Sequence, residues 1–391
     1  MINTSELKAK FTELFGQGDE VRLFFAPGRV NLIGEHIDYN GGHVFPAALT
    51  VGITAVIRPN DSDTVRMLSL NIPGEVSLNL KEKIEASGNN WGNYPKGVIS
   101  YLIKEGNKLS GCDILFHSTL PDGAGLSSSA ALEVLIAYTM LKIADEEIDN
   151  IKIAKLCQQV ENEFIKVNCG IMDQFSIAMG KENCAILLDC DTLHYSYVPL
   201  DLGDYSLVIL NTNKKRELAE SKYNERKNEC DLILNTLNKY IQVPTLCSAN
   251  LEQVNKYIEN GVLKKRAKHV ITENKRVFEA MTALNKKDLK QFGLLLTQSH
   301  HSLKHSYEVS GFELDTIVEE ALKIKGCIGA RMTGAGFGGC AIAIVRTESL
   351  ESFKKEVFEN YKTITGIAPS FYESKIGEGV KELELARYNQ L

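Results

Sequence analysis

The stretch PDGAGLSSSAALEVL, residues 121–135, is where the chain's architecture is most legible. A strand-like run, CDILFHS (112–118), leads into Gly123 and Gly125, and three serines then open an apolar helical pattern. The first turn of a helix carries backbone N–H groups without intrahelical partners, and its dipole favours an anion there. Small residues let a phosphate chain approach that backbone, and hydroxyls in the same turn can donate hydrogen bonds or ligate Mg²⁺. A lone serine after a tight turn would be an N-cap. Three in a row exceed what a cap needs, so the stretch reads as a phosphate loop. Two other phosphate loops fit less well. No GxxxxGK[ST] string occurs. GxGxxG is approached at Gly123, where Ser128 replaces the third glycine, and is matched by GAGFGG (334–339), which precedes the strand-like CAIAIV. That motif works through a helix N-terminus, so hydride transfer is the minor reading.

Outward from this loop, composition narrows the class. At 391 residues the chain is long enough for two domains. The 44% apolar and 24% charged fractions are those of a soluble globular protein. A net charge of −6, with a pI near 5.9 and no basic block, argues against a nucleic-acid partner. The start, MINTSELKAKFTELFG, reads as an amphipathic helix without the apolar segment of a signal peptide. The longest uncharged run, YNGGHVFPAALTVGITAVI, contains Asn, Gly, His and Pro and does not read as a membrane span. Nine scattered cysteines, odd in number and without a CxxC pair, suit reduced thiols in a cytoplasm better than disulfides or structural zinc.

Strand-like runs RLFFAP, VFPAAL, GITAVIR and CDILFHS fill the first 118 residues with turn chemistry between them, including SGNNWGN. Two helical patterns follow, SSSAALEVLIAYTMLKIA and NIKIAKLCQQVENEFI, the second with Ile153, Leu156, Cys157, Val160 and Phe164 on one stripe. CAILLDCDTL and YSYVPLDLGDYSLVILNT read as strands, with a domain crossing near residues 190–205. Residues 217–285 are charged and helical, and GCIGARMTGAGFGGCAIAIVR reads as a glycine loop running into a strand. Strands and helices interleave without a regular βαβ beat, which predicts an α+β fold.

Residues 28–42, GRVNLIGEHIDYNGG, place Arg29, Glu35, His36, Asp38 and Asn40 in one glycine-punctuated stretch after an apolar run. Carboxylates there can accept hydrogen bonds from vicinal hydroxyls and a histidine can donate or accept, while Gly34, Gly41 and Gly42 would let the backbone come close to a ring. A turn alone would account for Asn40. With this stretch, GAGLSSSAA and ARMTGAGFGGC in place, the chain resembles the GHMP small-molecule kinases. Its first motif, PGRVNLIGEHIDYNGG, resembles the galactokinase signature in nearly every letter, and the similarity continues through CGIMDQF (169–175) and NTNKKRELAESKYNERKNEC (211–230).

The resemblance implies a two-domain α+β GHMP architecture with the active site in the interdomain cleft, divided here as 1–195 and 196–391. It implies a galactokinase that phosphorylates the anomeric hydroxyl of D-galactose, with ATP as co-substrate and Mg²⁺ as cofactor. In that scheme Glu35, His36, Ile37, Asp38, Gly170, Asp173 and Tyr223 bind the sugar. Asp173 is the general base, with Arg29 as its charged partner and an electrostatic stabiliser. Gly123, Ala124, Gly125, Leu126, Ser127, Ser128 and Ser129 cradle the triphosphate, with Ser69, Trp91 and Tyr94 as further nucleotide contacts. Ser129 and Glu161 hold the metal, and Gly334, Gly336 and Gly338 permit close approach near the phosphates. The expected protein is a cytoplasmic monomer whose partners are galactose and ATP, with neither nucleic acid nor membrane. A kinase for N-acetylgalactosamine or arabinose, or a non-catalytic galactose and ATP sensor, are the competing readings. His300, His301 and His305 read as a polar helix face rather than a zinc site, Lys264, Lys265 and Arg266 as a solvated helix surface, and one of Lys214, Lys215 and Arg216 as a residue reaching the active site.

Overall fold

The computed structural model describes residues 3–383 apart from 20, 89, 122 and 215–218. The fold is α+β, built on two main sheets. The six-stranded sheet runs, in spatial order, Lys381–Glu382, Arg22–Asn31, Pro46–Pro59, Cys112–Ser118, Thr64–Ser69 and Glu75–Asn79. Its neighbours are antiparallel except for Thr64–Ser69 against Cys112–Ser118. The four-stranded sheet runs Cys327–Thr333, Cys340–Arg346, Tyr205–Asn211 and Ser370–Glu373, antiparallel throughout. A small third sheet joins His43–Val44, Cys184–Asp189 and Tyr195–Pro199. The last strand, Lys381–Glu382, returns to the first sheet, where Glu382 takes a two-pronged ion pair from Arg22 at 2.7 and 2.8 Å.

The helices Ser128–Ile143 and Met172–Met179 pack on the first sheet, and Asn93–Lys104 and Asn150–Val160 pack against them. Ser128–Ile143 is apolar nearly all round, with Ala130–Ala137 buried, because sheet and helices enclose it on all sides. Asn150–Val160 starts at an Asp149 cap that accepts from the N–H groups of Ile151 and Lys152, and at its far end widens into a single π-turn, Glu161–Ile165. The helices Gly261–Asn285, Leu289–Ser302, Phe312–Lys323 and Leu350–Thr365 belong to the second half of the chain.

Three elements differ from the sequence expectation. From Pro46 onward VFPAAL runs on through GITAVIR as one continuous strand, Pro46–Pro59. The ARMTGAGFGGC segment has a strand on both sides, so the glycines form the loop of a hairpin. Asn93–Lys104, directly after the SGNNWGN turn, is a helix in a region for which the sequence suggested only strands and turns. Its Pro95 lies in the first turn, where no intrahelical N–H is lost, and Val98, Ile99, Tyr101 and Leu102 bury its inner face. Arg266 is buried rather than solvated, donating to Glu229, Glu308 and the Ser306 carbonyl at 2.8–2.9 Å. His301 and His305 are exposed, while His300 is buried against Asp315.

Candidate active site

The strand Arg22–Asn31 carries a bulge between Pro27 and Arg29, and Gly28 is required there because a Cβ would lie 2.5 Å from Leu120 and 2.9 Å from the Leu126 carbonyl. The bulge aims Arg29 at the first turn of helix Met172–Met179. Its Nε and Nη2 donate to the two Asp173 oxygens at 2.7 and 2.8 Å, and its Nη1 donates to the Gly125 carbonyl at 2.8 Å. Ser127 occupies the N-cap position of helix Ser128–Ile143 in a left-handed conformation (φ 62°) and makes no cap bond. Its hydroxyl donates to Asp173 Oδ2 instead. Arg29 is 4% exposed and the Asp173 side chain 31%, so the carboxylate faces the cavity while its partner is enclosed. Burial works against the Arg29 charge, yet the Asp173 carboxylate holds its pKa above the ordinary value.

A cavity of about 440 Å³ opens over this pair. It is lined by Glu35, His36 and Asp38 from the acidic loop, by residues 123–129 of the glycine–serine loop, and by Tyr94, Glu161, Gly170, Tyr223 and Gly334. Most of the sequence-selected residues therefore converge on one space. Asp122, within the same loop, lies outside the described residues, as do Lys215 and Arg216. Lys214 pairs with Glu313 at 3.1 Å and is not among the residues that line the cavity.

Several residues differ in detail from expectation. Ile37 is fully buried in the core and does not line the cavity. The positive φ of His36 (62°) breaks the simple alternation of a loop, turning Ile37 inward. His36 lines the cavity, but its Nε2–H donates to the Ala335 carbonyl at 3.1 Å and its Nδ1 accepts from Tyr39 at 2.8 Å. Both ring nitrogens are thus engaged within the protein, and burial, with His269 nearby, lowers its pKa to about 3. Ser69 and Trp91 lie outside the cavity lining. Ser69 Oγ accepts from the N–H groups of Asn71 and Ile72, and Trp91 packs edge-on against Phe116. Gly41 and Gly42 make room for Thr245 and Cys247, and Gly34 for the His43 carbonyl and Val277, rather than for a ring in the cavity.

The electrostatics concentrate on the carboxylates. Burial, reinforced by the neighbouring Asp173, pushes the Asp38 pKa up to about 7. A Cβ at Gly170 would lie 2.0 Å from Asp38 Oδ2, so only glycine leaves that carboxylate its place. Burial likewise raises Glu35, opposed by Arg331 and Arg29; Glu35 Oε1 accepts the Gly334 N–H at 2.7 Å and the Thr333 hydroxyl at 3.2 Å. Arg331 is fully buried and braces the same loop through the Asn31 and Leu32 carbonyls at 3.1 and 2.9 Å. Sequence reading passed over it, although an arginine inside the apolar CIGARMT strand was a usable signal.

Ser129 and Glu161, from the starts of a helix and of the π-turn, line the same cavity. Glu161 is buried, with hard oxygen donors of the kind Mg²⁺ takes. Among the described residues no three His, Cys, Asp or Glu side chains gather into a metal cage.

The sequence matches the galactokinase galactose-binding signature over residues 9–59, the GHMP kinase N-terminal domain over 93–181 and the GHMP kinase C-terminal domain over 280–363. A galactokinase of Clostridium tetani is 53% identical over 98% of both chains, and one of Clostridium beijerinckii is 48% identical over 98% of this chain and all of the other. The crystal structure of Lactococcus lactis galactokinase complexed with galactose is 44% identical and superposes with a TM-score of 0.94, covering 97% of this chain and 99% of that one. A mevalonate kinase, 21% identical with a TM-score of 0.67 over 92% of this chain and 99% of that one, shares the fold. With the acidic loop, the glycine–serine loop and Gly334 of the hairpin meeting in one cleft, and with identity near half over the whole length, this chain belongs to the galactokinase family of GHMP kinases.

Proposed function

We propose that the protein transfers the γ-phosphoryl group of ATP to the anomeric hydroxyl of D-galactose, giving α-D-galactose 1-phosphate and ADP, the entry step of galactose catabolism. One observation carries this reading. Arg29 bonds at once to Asp173, in the cavity shared with the acidic loop, and to the Gly125 carbonyl of the phosphate loop. A hydroxyl held on one side and a triphosphate held on the other would meet at that point.

In this reading Asp38 accepts hydrogen bonds from sugar hydroxyls, Glu35 uses the oxygen not committed to Gly334, and Tyr223 forms the opposite wall. Asp173 takes the anomeric proton as the sugar oxygen bonds to phosphorus and the bond from phosphorus to the β-phosphate oxygen breaks, releasing ADP. Arg29 and the Ser127 hydroxyl orient the carboxylate. The guanidinium also extends positive potential toward the transferring group. Residues 123–129 supply backbone N–H groups and hydroxyls to the triphosphate. Ser129 and Glu161 would hold Mg²⁺, which shields phosphate charge when bound. The two halves of the chain, 1–195 and 196–391, form the walls of the cleft. Nine scattered cysteines without a CxxC pair, together with small-molecule substrates, suit a cytoplasmic enzyme, which we read as a monomer.

The test is ADP release measured by a coupled assay with galactose, N-acetylgalactosamine, arabinose and no sugar. Galactose-dependent turnover with the highest kcat/KM is expected. A flat response marks a silent sensor, and preference for another sugar overturns the substrate. Asp173→Asn should lower kcat by about 10²–10⁴-fold; turnover within tenfold of wild type removes Asp173 from the base role.

A further inference from the structure

The acidic loop is held from behind by a helix of the second half of the chain. His269 and Glu273, four residues apart on helix Gly261–Asn285, share one face and are both fully buried. Glu273 Oε1 accepts the Gly34 N–H at 3.0 Å and, more loosely, the Glu35 N–H at 3.4 Å. His269 Nε2 lies 3.0 Å from the Glu35 carbonyl. A carbonyl only accepts, so Nε2 carries the proton, and Nδ1 accepts from the Ser302 hydroxyl at 2.9 Å. One turn of one helix thus engages both the donors and the acceptor of the same short backbone segment.

The clasp is itself braced. Ser299 donates to Glu273 Oε1 at 2.6 Å, and Arg276 Nε donates to Oε2 at 2.8 Å. Asn274, on the next position of the helix, accepts the His43 N–H at 2.8 Å where the loop ends. Contact is close enough that Gly34, at φ +102°, would bring a Cβ within 3.0 Å of Val277. The segment gripped lies directly before His36 and Asp38, which line the cavity with Glu35. None of the clasp residues is among those lining it.

We propose that His269 and Glu273 are positioning residues, which set sugar affinity by fixing the Gly34–Glu35 backbone and thereby the directions of the Glu35 and Asp38 carboxylates. This rests on the sugar-binding reading of that loop. A shift of the loop leaves the phosphate loop in place, so the effect falls on the sugar and not on the nucleotide.

The test is steady-state kinetics with galactose and ATP varied in turn, with thermal melting alongside, on Glu273→Leu, which removes the acceptor, His269→Ala and His269→Gln. Unmaking one buried hydrogen bond to the loop should raise galactose KM about tenfold, with ATP KM within twofold. His269→Gln, which keeps a donor for the Glu35 carbonyl, should recover most of the loss seen in His269→Ala. If Glu273→Leu yields no soluble protein, the His269 pair decides. Galactose KM within twofold of wild type, or galactose and ATP KM rising together, overturns the proposal. A wild-type protein that binds galactose without turnover refutes the kinase reading alone, and galactose Kd by calorimetry then gives the same comparison. Wild-type protein that binds no galactose overturns both.

Discussion

Lowering the pH from 8 to 6 should weaken galactose binding about tenfold, through Asp38. Burial and the adjacent Asp173 push this carboxyl up to about 7, and the proposed contact needs its ionised form to accept hydroxyl hydrogen bonds. With binding confined to that form, the apparent Kd scales as 1 + 10^(7−pH), roughly 1.1 at pH 8 and roughly 11 at pH 6, or about 1.4 kcal/mol. The surrounding groups do not cancel it. His36 is lowered to about 3 by burial, and Glu273, which burial alone would raise, is brought to about 2 mainly by Arg276. Glu35, raised by burial, would move binding in the same direction. Calorimetry with a non-hydrolysable ATP analogue, in two buffers of different ionisation enthalpy, should also record proton release on sugar binding between pH 6 and 7. The sign for stability is opposite. A folded-state pKa above the ordinary 3.8 gives a stabilising contribution that is full below about pH 4 and lost as the pH rises through about 7. Asp38→Asn should therefore raise the melting temperature of the sugar-free protein at pH 8 while weakening galactose binding. A wild-type Kd flat within twofold from pH 8 to 6, or the same slope persisting in Asp38→Asn, refutes the reasoning.

Two further outcomes are expected. Gly170→Ala places a methyl group against Asp38 Oδ2, displacing the carboxylate, so galactose KM should rise by about tenfold or more with the melting temperature little changed; an unchanged KM would detach Asp38 from the sugar. Glu161→Ala should raise the Mg²⁺ concentration for half-maximal rate, and weaken Mg²⁺-dependent nucleotide binding in a titration, by about tenfold or more. An unaltered Mg²⁺ dependence would remove Glu161 from the metal.

What the sequence made legible is what lies in contiguous motifs. Residues 123–129 and 35–38 are adjacent in the chain, so their chemistry could be read without knowing the fold. Arg29 and Asp173 are 144 positions apart, and their pairing came through family resemblance rather than periodicity. Side-chain direction was the weak point. Left-handed residues at 34, 36 and 41 turn successive side chains away from any regular alternation, and Ile37, which the resemblance gave to the sugar, lies in the core. The three glycines of that loop were credited to a ligand, yet they admit Val277, Thr245 and Cys247 from the second half of the chain. His269 and Glu273 were invisible for the same reason, and Arg331 showed only as an arginine inside an apolar strand. A charged residue on a helical or strand pattern looks solvated until the element that covers it is known, and those covering elements lie more than 200 residues away in sequence.

The most direct measurement is a crystal structure with galactose and a non-hydrolysable ATP analogue bound together. The account requires the anomeric oxygen within about 3 Å of an Asp173 oxygen and about 3–3.5 Å from the γ-phosphorus, with the phosphates along residues 123–129. A different hydroxyl turned to Asp173, or a γ-phosphate seated away from that loop, would contradict it.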